Sequence, residues 1–139
     1  MQARVKWVEN AAFIAETGSG HALVIDGPPE IGGRNLGPRP MEMLLVSVGA
    51  CSSVDVVMIL KKARQPVSDC VVELRGERAE TEPKVFTEIH LHFVVSGKGL
   101  GEAQVKRAVE LSAEKYCSAS IMLGRAGCRI GHSFEIREA

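Results

Sequence analysis

The chain carries four cysteines, and two of them sit in similar settings. Cys51 lies in Val48-Gly49-Ala50-Cys51-Ser52-Ser53 and Cys117 in Lys115-Tyr116-Cys117-Ser118-Ala119-Ser120, 66 residues further on. Each reads as part of a helix and each is followed by serine. Brought together by a fold, they would form a dithiol able to cycle through a disulfide, one thiolate attacking and the second condensing with the resulting sulfenic acid. Read singly, each is also a small hydrophobe suited to a core. Cys51 stacks with Leu44, Val48 and Asp55 on one helix face. Asp55 would raise its thiol pKa, so a nucleophile here needs a cation from elsewhere. Cys70, on the apolar face of a strand, and Cys128, opening the last strand, read as core. No C-x-x-C pair is present, so neither a zinc ribbon nor a thioredoxin motif is supported.

Other candidates are weaker. His90 and His92 share one strand face with Glu88, an i, i+2 spacing that could serve a metal. The same pattern describes the solvated face of a half-buried strand, no third ligand is fixed, and no metal is expected. Glu42 sits where a carboxylate suits the helix dipole. On a continuous helix it is offset by about 180° and about 13 Å from Cys51, so it reaches that thiol only through an intermediary or an irregular helix start. The glycines between Gly27 and Gly33 lack phosphate-loop spacing.

The elements that must position the thiols follow from patterning. Ala3 to Val8, Phe13 to Glu16 and Ala22 to Ile25 read as short strands separated by turn residues. Gly27 to Pro40 is a 14-residue loop, long enough to carry function. Pro40 and Glu42 open a helix, and Lys61, Lys62, Arg64 and Pro66 close it near Ala63. Its middle is apolar all round, so every face needs cover, and Gly49 and Ala50 permit close backbone approach. Cys70 to Gly76 and Thr87 to Val95 alternate as an amphipathic antiparallel hairpin. Glu102 to about Cys117 reads as one amphipathic helix. Ser118 or Ser120 is placed to cap a short helix through Arg125, and 128–137 reads as a final strand. The order is βββ–α–ββ–α–β, an α+β pattern with mainly antiparallel pairing, in a single domain over 1–139.

Composition narrows the class. The 17 basic and 17 acidic residues cancel, which leaves no global electrostatic case for nucleic acid or anionic membrane and favours self-association. With 45% hydrophobic but only 4% aromatic residues, the core must be aliphatic. The start has no apolar leader core. The longest charge-free run of the first helix, Met43 to Val54, is 12 residues, short of the roughly 20 that span a bilayer. A cytoplasmic location is the expectation, where cysteines are inert or working thiols rather than structural disulfides.

Pro40-Met41-Glu42-Met43-Leu44-Leu45 with Gly49-Ala50-Cys51-Ser52 resembles the first active-site helix of the OsmC/Ohr superfamily, and Ala113 to Ser120 looks like its second cysteine motif. The resemblance covers essentially the whole chain and is closest to the YhfA-like branch of OsmC-related proteins. It implies an intertwined homodimer, with antiparallel sheets wrapping central helices and active sites at the interface. It also implies a cysteine-based peroxidase of organic hydroperoxides. Cys51 would be the peroxidatic thiolate and Cys117 the resolving cysteine, with Glu42 in the site. A dithiol or lipoylated protein would be the reductant, and no cofactor is implied. The same fold also suits a non-catalytic redox sensor or small-ligand-binding stress protein.

The chain departs from the peroxidase pattern in three places. Met41 follows Pro40 directly, with Glu42 one residue later. The early turn Thr17-Gly18-Ser19-Gly20 has no arginine, which leaves Arg34, Arg39 or Lys6 as the activating cation. Ser118 stands where proline is common.

Overall fold

The computed structural model describes residues 1–139. They group into two compact units, Met1–Leu44 and Leu45–Ala139.

In the first unit, β1 (Ala3–Glu9), β2 (Ala12–Thr17) and β3 (Ala22–Ile25) form an antiparallel sheet in that order. Asn10 takes the left-handed conformation (φ 48°) that lets the β1–β2 connection turn in two residues. Trp7, with its ring 61% exposed, donates its indole N–H to the Asn10 carbonyl. The long loop is organised by one side chain. Asp26 is buried, and its carboxylate accepts the backbone N–H groups of Gly27, Arg34 and Leu36 at 2.7, 3.1 and 3.2 Å. These bonds, that from Leu36 foremost, hold its pKa below the ordinary value against the opposing effect of burial. The fold of the loop also demands glycine at 33, where a Cβ would lie 1.7 Å from the Gly27 carbonyl oxygen. The first turn of α1 (Pro40–Lys62) is stabilised by Glu42, whose Oε1 accepts the Arg39 N–H at 2.9 Å, one half of a capping box.

In the second unit, α1 lies on a sheet of β4 (Val67–Arg78), β5 (Phe86–Gly97) and β6 (Arg129–Arg137). β4 and β5 pair antiparallel, with Val72 opposite Phe93 and Leu74 opposite Leu91. β5 and β6 pair parallel, Leu91 facing His132 and Phe93 facing Phe134. Pairing is thus mainly antiparallel, as expected, with β5–β6 the one parallel pair. The chain between them makes α2 (Glu102–Leu111), a π-helical segment (Ser112–Tyr116) and α3 (Ser118–Arg125). That is ample for the crossover of a dozen or more residues that a parallel pair requires.

The helical faces then sort themselves by packing. α1 buries a single stripe, Val48, Gly49, Ser52, Val56 and Leu60. Burying each of its larger aliphatic side chains stabilises the fold by about 1.5–3 kcal/mol. The stripe joins Ile89, Leu91, Phe93 and Val95 of β5 and Val105, Ala108 and Val109 of α2 in one aliphatic core. Gly49 permits the close approach: a Cβ there would meet Leu74 Cδ1 at 2.6 Å. Ala50 is exposed and plays no such part. Within the chain the cover expected on every face of α1 is absent, since Val46, Val54 and Met58 remain 57, 62 and 59% exposed. The charge-free run also understates this helix. At 23 residues α1 is long and apolar enough by length and composition to cross a membrane. Its apolar surplus comes from a buried stripe and an exposed apolar face together.

Candidate active site

The second unit brings the two cysteines into one site. Cys51 is half-buried on α1, its neighbour Ser52 bonds the sulfur of Cys117, and the two thiols shift each other's pKa. All four cysteines are free thiols.

Cys117 owes its place to a break in the helix read from the sequence as continuous. α2 ends at Leu111, and Ser112–Tyr116 widens into a π turn in which Cys117 N–H bonds the Ser112 carbonyl at 2.8 Å. Such single-turn π segments concentrate at functional sites. Cys117 then leaves the helical conformation (φ −71°, ψ 94°) and becomes the N-cap of α3. The cap is thus a sulfur and not Ser118 or Ser120: Cys117 Sγ accepts the Ser120 N–H at 3.4 Å.

Three buried serines surround this sulfur. Ser52 Oγ donates to Cys117 Sγ at 3.0 Å. Ser120 Oγ donates to the Cys117 carbonyl at 3.3 Å. Ser112 Oγ donates to Asp55 Oδ2 at 3.1 Å and lies 3.4 Å from the Ser52 carbonyl, tying the π turn to α1. All three serines are at most 2% exposed. From the sequence Ser52 is marked only as the residue after Cys51 and Ser120 only as a possible helix cap, and Ser112 carries no signal.

The environments of the two thiols differ in sign. Burial pushes the Cys117 thiol up, but hydrogen bonds from Ser120, Ser52 and Cys51 outweigh it and leave the pKa below the ordinary thiol value. Burial pushes the Cys51 thiol up as well; Cys117 and the Asp55 carboxylate add to the rise, against one backbone hydrogen bond from Ala119.

Glu42 caps the first turn of α1, nine residues before Cys51 on an unbroken helix. Arg34 is paired with Glu9. Arg39 and Lys6 are exposed. Cys70 packs half-buried against the core and Cys128 is buried within it, and burial pushes both thiols up. His90 Nε2 and His92 Nδ1 each meet Ser133 Oγ at 2.8 Å. They line a hollow of about 550 Å³ with Glu73, Leu74, Arg75 and Ser133. No group of three or more His, Cys, Asp or Glu side chains is arranged to hold a metal ion.

Residues 32–133 match the OsmC-like protein family. The chain belongs to the OsmC-like family. Over 136 residues it is 52% identical to Protein YhfA of Escherichia coli K12, covering 98% of each chain. The solved structure of a hypothetical protein from Aquifex aeolicus superposes with a TM-score of 0.86 at 35% identity, covering 99% of this chain and 96% of that one. An organic hydroperoxide resistance protein OsmC from Legionella pneumophila shares the fold, with a TM-score of 0.72 at 20% identity and 96% and 95% coverage. The OsmC-like assignment covers the fold, its α+β class and the helix that carries Cys51.

Proposed function

We propose that this OsmC-like chain is a cytoplasmic, homodimeric thiol peroxidase that reduces organic hydroperoxides through a Cys51–Cys117 disulfide. The observation that carries the reading is that Ser52, the neighbour of Cys51 on α1, donates to Cys117 Sγ at 3.0 Å, which brings two cysteines 66 residues apart in sequence into one site. Cys51, the more accessible sulfur, attacks the O–O bond, releases an alcohol and becomes a sulfenic acid. Cys117, in the same site, displaces water from it to close the disulfide. A small dithiol or a lipoylated protein restores the two thiols. The chemistry needs no metal, flavin or haem. Glu42 serves the site by fixing the start of α1 rather than by touching the sulfur. A second copy of the chain covers the exposed apolar face of α1 at Val46, Val54 and Met58 and removes the site from water.

The test is peroxide consumption with cumene hydroperoxide and a dithiol reductant. Wild type turns over; Cys51→Ser does not, and Cys117→Ser completes at most one turnover without disulfide. If wild type consumes peroxide no faster than both variants, the reading fails. One observation favours the alternative of a redox sensor: the early turn Thr17-Gly18-Ser19-Gly20 carries no arginine. In that case peroxide forms the disulfide once and slowly, without a catalytic cycle.

A further inference from the structure

We propose that the resting thiolate of the pair is Cys117, and that Cys117 takes the proton of Cys51 when Cys51 attacks the peroxide. This rests on the peroxidase reading and supplies the activation that an arginine would otherwise provide.

The donors converge on one sulfur. Cys117 Sγ receives the Ser52 hydroxyl at 3.0 Å and the Ser120 N–H at 3.4 Å, and the neighbouring Cys51 thiol acts on it in the same sense. Each favours a negative sulfur, and hydrogen bonds to a charged acceptor are the strong ones. Cys117 also caps α3, where the free N–H groups of the helix start favour an anion. Burial opposes the charge, and so does the Val48 carbonyl, which accepts a hydrogen bond from the neutral thiol at 4.0 Å. Asp55 is the carboxylate that bears on the pair, and its Oδ2 is engaged by the Ser112 hydroxyl at 3.1 Å. It raises Cys51. The two sulfurs are therefore unequal: the accessible one keeps its proton, and the enclosed one, 0% exposed, holds the charge out of reach of oxidants.

The steps balance. The Cys51 sulfur attacks the terminal oxygen of the hydroperoxide while its proton passes to the Cys117 thiolate. An S–O bond forms and the O–O bond breaks. The alkoxide leaves with the electron pair and takes a proton from water to become the alcohol. Cys51 is now a sulfenic acid, oxidised by two electrons. Cys117 then attacks that sulfur, its proton leaves with the hydroxyl as water, and the S–S bond closes. The dithiol reductant returns two electrons and two protons. Ser52 is the positioning residue, since it holds the charge of Cys117 without touching substrate.

The experiment is a pH titration of thiolate absorbance at 240 nm, read without any peroxide. Wild type and Cys51→Ser are expected to show a thiolate that titrates below the ordinary value of about 8.5, and Cys117→Ser to lack it. Ser52→Ala is expected to carry about tenfold less thiolate at pH 7, the loss of one charge-assisted hydrogen bond. A band that survives in Cys117→Ser and vanishes in Cys51→Ser overturns the proposal, as does the absence of any band below pH 8.5 in wild type. Should Cys117→Ser lose its helical circular dichroism, an unchanged titration in Ser52→Ala overturns it alone. The expected titration without peroxide consumption would sink the peroxidase reading and leave the thiolate on Cys117.

Discussion

Ser52 Oγ lies 3.0 Å from the sulfur of Cys117, although the two residues are 65 positions apart. Ser52 directly follows Cys51, so one turn of α1 presents a thiol and a hydroxyl to the same partner. The contact selects one disulfide of the six that four cysteines allow. One equivalent of cumene hydroperoxide is expected to link Cys51 to Cys117 and leave Cys70 and Cys128 reduced. Peptide mapping by mass spectrometry under non-reducing conditions reads the linkage. A bridge to Cys70 or Cys128 would mean that the site is wrongly assembled.

The exposed face of α1 makes a prediction about assembly. Val46, Val54 and Met58 are each more than half exposed, and a contiguous apolar face of this kind marks an interaction surface. Met58→Glu places a charge within it. Sedimentation is expected to show wild type as a dimer and the variant shifted toward monomer at equal concentration. A monomeric wild type would remove the second copy from the proposal.

Close packing of α1 on β4 can be tested at Gly49. A Cβ there meets Leu74 Cδ1 at 2.6 Å, and the Val72 side chain lies at 3.4 Å. Gly49→Val forces these apart and is expected to cost about 1–3 kcal/mol in urea unfolding. Gly49→Ala is milder, because the clash is with the tip of a flexible side chain and alanine favours the helix by about 1 kcal/mol.

His132 supplies a pH dependence. Its ring stacks on Phe93, with centroids 6.4 Å apart, and its buried Nε2 has no hydrogen-bond partner. Burial first, and His90 second, hold its pKa below the ordinary value. A base whose folded pKa is depressed binds its proton more readily when unfolded. Its contribution is complete above the unfolded value of about 6.5 and is lost as pH falls toward the folded one. Thermal unfolding should therefore fall between pH 7 and 5, and less steeply in His132→Leu. Equal slopes in the two proteins would assign the acid sensitivity to other groups.

Much of the fold is legible locally, because its signals are short in range. Alternation marks the β4–β5 hairpin, Pro40 and Glu42 mark the start of α1, and both observed limits of α1 fall within one residue of the sequence reading. The loop after β3 is legible only as a loop. That Asp26 folds it depends on three backbone donors up to ten residues away, which no periodicity records. The break in the helix before Cys117 is equally silent, since a π turn keeps the apolar residues that an α-helix would show.

By itself the sequence determined the pair of cysteines as the place where chemistry would be, and the order of elements that carries them. Tertiary structure decided which atoms act on the sulfurs. α1 is apolar on all sides, so its pattern names no inward face. Only packing against β4 and β5 turns Ser52 inward and Ala50 outward. The crossover from β5 to β6 then lays the π turn, Ser112 and the start of α3 against that face. The balance of charge between Cys51 and Cys117 follows from those hydrogen bonds, and hydrogen bonds between distant segments exist only once the chain has closed.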